Sequence, residues 1–135
     1  MKLLNLHDIF KQLHGICIDR KQRYILTDQE KHNVTIFGNT GKLLSFGGFG
    51  HRNDQFKSPR YVTTSPNENN IYVSDHHNHC IKVFDDSGTF LFKFGSKGRG
   101  DGQMSFPEGI AFLDWANGLL VADEGNNRVS LNYKL

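Results

Sequence analysis

A chain of 135 residues, 37% hydrophobic, makes one domain at most, and 16 Lys and Arg against 14 Asp and Glu are too evenly balanced to select a partner class by themselves. Two cysteines, Cys17 and Cys80, are too few for a disulfide framework. No apolar run is long enough for a signal-peptide core or a membrane span, so the sequence predicts a soluble, cytoplasmic chain without a membrane partner.

Along the chain, Leu3 to Leu6 read as a lone outer strand within residues 1–6. A first, diverged unit follows at about 8–47. Its Phe10-Lys11 and Ile16 correspond to Phe56-Lys57 and Val62 at an offset of 46, and its Asp28, Val34 and Phe37 to Asp75, Ile81 and Phe84 at 47. The residue gained falls in the turn near Pro66, and Leu13 stands where the later units carry Pro. The second unit, about 55–95, predicts strands over 60–64, 71–75, 80–84 and 90–94 from a period-two apolar pattern. Pro66-Asn67, the His76-His77-Asn78 corner and Asp85-Asp86-Ser87-Gly88 supply its turns. The third unit, about 103–135, predicts strands over 108–113, 118–123 and 128–132.

The second and third units are offset by 48 residues: Phe56-Lys57-Ser58-Pro59 returns as Met104-Ser105-Phe106-Pro107, and Tyr72-Val73-Ser74-Asp75 as Leu120-Val121-Ala122-Asp123. A period of this size belongs to stacked or radial architectures, and four short strands per unit is the arithmetic of a propeller blade. The predicted fold is all-β, a partial β-propeller of about three four-stranded antiparallel blades. Three blades cannot close a ring of four to eight, and open blades leave strand edges that invite association. The expectation is therefore the end of a longer propeller, with self-association to complete a ring as the alternative.

The run Phe56-x2-Pro59, Val73-Ser74-Asp75-x2-Asn78-His79-Cys80-Ile81-Lys82-Val83-Phe84, then Phe94-Gly95-x2-Gly98-x4-Gln103-Met104 resembles the NHL repeat. Asn78-His79 stand at its name-giving positions, with Asn126-Asn127 a looser match; Arg128 fits the basic residue that usually follows, and Cys80 departs from it. The stretch from Gly102-Gln103-Met104 through Asp123-x-Gly125-Asn126-Asn127-Arg128 is similar to the closing blade of TRIM-NHL proteins. That resemblance implies half of a six-bladed ring. It also implies that any ubiquitin-ligase activity lies in a RING domain outside these residues.

In several TRIM-NHL proteins the propeller face formed by the loops before the first strands and by the turns joining second to third strands is basic and binds RNA. Carried onto this sequence, that face collects His51, Arg52, Lys57, Arg60 and Tyr61, then Lys97 and Arg99, then His76, His77 and His79, then Asn126, Asn127 and Arg128. Arginines position phosphates, while Tyr and His rings stack on unpaired bases. Arg60-Tyr61 heads the set because related proteins tend to carry Gly where Tyr61 stands; the alternative places Tyr61 in the wall of the central channel. The His76-His77-x-His79-Cys80 run suggests metal, but a structural zinc needs four convergent ligands and adjacent histidines in a corner diverge. No metal or cofactor is expected, and Asp75 and Asp123 are read as caps on N–H groups of the following turn.

Arg99-Gly100-Asp101 and Gly98-x-Gly100-x-Gly102 are absorbed by the repeat, and Trp115 stays open between a partner contact and a lid on the blade. The reading is a non-enzymatic propeller that binds single-stranded or hairpin RNA in post-transcriptional control. A protein-interaction or ubiquitination-substrate platform is the alternative, and a metal-dependent propeller enzyme a more distant one.

Overall fold

The computed structural model describes residues 9–133, so the strand expected at Leu3–Leu6 lies outside the described residues. Strands β1 (Leu13–Ile18), β2 (Tyr24–Asp28), β3 (Asn33–Gly38) and β4 (Gly41–Gly47) form one antiparallel meander. A second comprises β5 (Pro59–Thr64), β6 (Ile71–Asp75), β7 (Cys80–Phe84) and β8 (Phe90–Phe94), and a third β9 (Pro107–Leu113), β10 (Gly118–Asp123) and β11 (Arg128–Asn132). The architecture is a partial β-propeller, with two four-stranded blades and a third that has three strands among the described residues.

The middle strands carry the fold. Every residue of β6 and β7 is buried, because blade 2 has a neighbour on each face. In β8 half-buried Phe90, Phe92 and Phe94 alternate with exposed Leu91 and Lys93, the pattern of an outer strand with one wet side. Two apolar layers result. Ile25, Val34 and Ile36 of blade 1 meet Val62, Ile71, Val73 and Phe84 of blade 2, and Tyr72, Ile81 and Val83 on the opposite face meet Leu119 and Val121 of blade 3.

Each layer is plugged by the residue that opens the repeat, Phe56 at 0% and Met104 at 2% exposure. Burying a side chain of this size contributes roughly 1.5–3 kcal/mol. The plug explains the Phe-Gly that ends each outer strand. A Cβ on Gly47 would lie 2.7 Å from the Phe56 ring, and one on Gly95 would lie 2.8 Å from the Met104 methyl, both at positive φ (117° and 97°). Only glycine fits there without displacing the plug.

At the opposite edge a polar network ties blades 1 and 2. Asp19, at 3% exposure, accepts from Arg23 Nε at 2.7 Å and from Asn69 Nδ2 at 3.1 Å, while Arg23 reaches the Asp86 carbonyl at 3.0 Å.

Candidate nucleic-acid interface

The loop-bearing face is assembled around one carboxylate per blade. Asp28, Asp75 and Asp123 end their second strands fully buried and accept the backbone N–H of Lys11, Lys57 and Ser105, each at 2.7 Å. Asp28 also caps its own turn, through Glu30 and Lys31 N–H. In blades 2 and 3 the expected cap instead reaches back 18 residues, pinning the loop before the first strand to the turn after the second. The amides of Asn78 and Asn126 complete this clamp, donating to the carbonyls of Gly50 (2.9 Å) and Gly98 (2.8 Å) as well as to the clamp carboxylate.

A cation closes it. In blade 2 Lys82 Nζ, 1% exposed, meets Asp75 at 2.8 Å and the carbonyls of Arg52 and Gln55. Blade 3 has Ser130 at that register and uses Arg128 two residues earlier, which binds Asp123 at 2.9 Å and the carbonyls of Arg99, Gly100 and Gln103. Asn126 and Arg128 are thus engaged inside the blade. Bonds to Ser105, Asn126 and Arg128 outweigh burial and hold the Asp123 carboxyl below its ordinary value.

Residues that follow these turns stitch blade to blade. His32, His79 and Asn127 all adopt the left-handed conformation (φ 55°, 55° and 51°). His32 Nδ1 accepts the N–H of Ser58 at 2.9 Å, and His79 Nδ1 that of Phe106 at 3.1 Å. Phe106 is itself left-handed at φ 53°, uncommon for a bulky residue, and its ring is 36% exposed. Three histidine rings surround it, with centroids at 5.2 Å (His76), 5.9 Å (His77) and 4.5 Å (His79). Burial lowers the His76 and His79 pKa values, and Lys97 close to His79 adds to the effect there. Cys80 is buried, its thiol pushed by burial up to about 11, so it offers no thiolate to these histidines.

Arg60 and Tyr61 follow Pro59 at the head of β5, one of the first strands that meet from blade to blade. Arg60 is paired with Glu108 at 3.0 Å, and its backbone carbonyl accepts from Thr27 Oγ1 at 2.7 Å. Tyr61 replaces the glycine found at the matching positions 15 and 109. At Gly15 a Cβ would sit 2.6 Å from the Arg60 carbonyl, whereas the Tyr61 side chain is 38% exposed and turns edge-on to His14 at 4.8 Å. Tyr61 thus lies along the first strands with its side chain part-exposed beside His14.

Among the described residues one trio, His76, Glu108 and Glu124, brings potential metal-ligand atoms within 4.8 Å of one another. His76 Nδ1 is 3.1 Å from the Pro107 carbonyl, and Arg60 occupies Glu108, so a cation here would have to displace the guanidinium.

The exposed members of the predicted set that are not engaged inside the blade are His51, Arg52, Tyr61, His77, Lys97, Arg99 and Asn127, with Lys57 half-buried. The sequence reading missed two aromatics on the same loops. Phe49 is 66% exposed, edge-on to His32 at 4.9 Å and 5.8 Å from Lys57 Nζ. Phe106 is the second. Its signal was available, since the repeat places Ser58 at the same position and asks for no aromatic there.

This is a partial β-propeller whose face is built from repeated Asp-centred clamps, and comparison with known proteins agrees on the fold. The NHL repeat family matches residues 56–84 and 104–130, so the chain carries at least two NHL repeats. Protein brain tumor of Drosophila melanogaster is 36% identical over 78 residues, 58% of this chain and 7% of that protein. Peptidyl-glycine alpha-amidating monooxygenase of Mus musculus is 32% identical over 133 residues, 90% of this chain and 14% of that protein. The chain therefore spans a small part of the relatives it matches, and an enzyme stands among them. In three dimensions it is similar to virginiamycin B lyase from Staphylococcus aureus, with a TM-score of 0.73 and 16% identity, over 95% of this chain and 40% of that one. That likeness defines the propeller fold.

Proposed function

We propose that this chain is an RNA-binding module of a cytoplasmic TRIM-NHL-type regulator, holding a short single strand or hairpin loop on the face that carries the Asp-centred clamps, without catalysis of its own. The observation that supports it most is Phe106. A part-exposed aromatic, held by His79 and walled by His76 and His77, stands beside a loop carrying exposed Lys97 and Arg99. Unpaired bases stack on such rings and phosphates follow such cations. Phe49 beside Lys57, with Arg52 and His51 on the same loop, repeats the arrangement one blade earlier. Arg60 and Tyr61 contribute from the channel side, and Asn126, Asn127 and Arg128 shape the turn of blade 3.

The test is fluorescence anisotropy of the full chain with short labelled single strands and hairpins at several salt concentrations. Phe106→Ala is expected to weaken binding about tenfold, as loss of one stacked base does. Lys97→Glu with Arg99→Glu should lower affinity and flatten its salt dependence. Unchanged affinity in both variants would refute the reading.

A second reading, a protein-interaction platform on the same face, is favoured by the 66% exposure of Phe49. Binding to a protein through an apolar centre would survive added salt where RNA binding would not.

A further inference from the structure

The blade 2 clamp holds more positive charge on its outer side than its own groups neutralise. β7 and β8 place Lys82 and Lys93 directly opposite each other, an arrangement that like charges disfavour. Blade 1 has Thr35 and Ser45 at the same register and joins them by a hydrogen bond of 2.6 Å. Among the described residues Asp75 pairs with Lys82 alone, and exposed Lys93 is left without an acidic partner. The two lysines line a cavity of about 300 Å³ together with His51, Asn78, Ser96 and Lys97. No described Asp or Glu lines it. The charge of this cavity is complementary to an anion.

Ser96 can carry that anion. Its counterpart in blade 1 is Gly48, and both do the same backbone work. The carbonyl of Gly48 accepts from Phe56 N–H at 2.8 Å, and that of Ser96 from Met104 N–H at 2.9 Å. A hydroxyl is therefore not needed to build this loop. The Ser96 side chain is exposed and makes no hydrogen bond among the described residues. Lys93 stands three residues before it, Lys97 directly after and Arg99 three residues after. Kinases tell their substrates apart by charge patterns of this kind.

We propose that Ser96 is a phosphorylation site whose phosphate is held in cis by Lys93 and Lys97. The hydroxyl oxygen bonds to the γ-phosphorus of a nucleoside triphosphate, and the bond from that phosphorus to the bridging oxygen breaks. The nucleoside diphosphate leaves, and the hydroxyl proton passes to the base of the kinase. The product adds about −1.5 to −2 charges at neutral pH, enough to offset the two lysines. Lys97 then serves the phosphate instead of an RNA backbone, so modification weakens RNA binding. That last step rests on the functional reading above, and the modification itself does not.

The test treats the full chain with a nucleoside triphosphate and two kinases, one selecting basic residues before the serine and one selecting them after it. Mass spectrometry should find a phosphate at Ser96 that is missing from Ser96→Ala. Phosphorus NMR reads the cradle. Nearby ammonium groups favour the dianion, so the second ionisation should fall below its ordinary value of about 6 and rise again in Lys93→Gln. Treated wild-type chain should bind labelled single strands on the order of tenfold more weakly, with Ser96→Ala unaffected by treatment. No phosphate at Ser96 with either kinase, or an ionisation that Lys93→Gln leaves unchanged, would overturn the proposal. A cradled phosphate in a chain that binds no RNA in either form would uphold the site and refute the functional reading.

Discussion

His79 accepts the backbone N–H of Phe106 through Nδ1 at 3.1 Å while its ring packs edge-on against the Phe106 ring at 4.5 Å. One side chain thus fixes both the backbone and the ring of the residue before Pro107. His79→Ala is expected to destabilise the chain by about 1 kcal/mol, the net worth of a hydrogen bond. His79→Asn, which keeps an acceptor and tolerates the left-handed conformation, should cost less than half of that. Urea denaturation of the three proteins decides.

Arg128 and Lys82 perform one task from different registers, which makes the task transferable. Arg128→Cys leaves Asp123 and three carbonyls without their donor and should cost about 2 kcal/mol. Adding Ser130→Lys places an ammonium where blade 2 has one and should recover about half of that loss. Strictly additive effects of the two changes would rule out a shared role.

The two clamps differ in depth. Asp75 and Lys82 are buried at 0% and 1%, whereas the Arg128 side chain is 36% exposed. Asp75→Ala strands a buried ammonium and should cost about 3–5 kcal/mol. Asp123→Ala leaves a guanidinium that water can reach, and its cost should be the smaller. Denaturation midpoints of the two variants at neutral pH give the comparison.

Acid should destabilise the chain in two stages. Burial holds His14, His76 and His79 below their ordinary value of 6.5, so below that pH the unfolded chain takes up protons the folded one resists. Stability is then full above 6.5 and falls as the pH drops through the folded values. Asp19, Asp28 and Asp123 are held below 3.8, because their hydrogen bonds outweigh burial. They add a second loss of the same sign below about pH 4, partly opposed by Asp75, whose carboxyl burial pushes up. Thermal melts from pH 7.5 downward should show a falling Tm, with a shallower first stage in His79→Asn.

Strand bounds were legible because period and turn chemistry agree. The spans expected for β6, β7, β8, β10 and β11 are those observed, and β5 and β9 begin one residue earlier, at their prolines. Even the proline-less Leu13 pairs with Asp28 as Pro59 pairs with Asp75. The site was less legible. Arg128 reads as a free cation, since its carbonyl partners lie 25–29 residues earlier in a loop whose path the sequence does not reveal. Arg60 reads as a phosphate ligand until Glu108, 48 residues on, is found beside it. Phe106 passes for loop between a serine and a proline, and only its comparison with Ser58 one repeat earlier marks it.

The stitching histidines carry a consequence for how the molecule comes apart. His32 holds an N–H of blade 2 and His79 one of blade 3, while each apolar layer is shared between neighbours. A blade that melts therefore deprives the adjacent blade of an acceptor and of one wall of its core. Coupling between nearest neighbours of this kind makes partly melted states scarce, so amide protons in β2, β6 and β10 should exchange in one concerted opening rather than blade by blade.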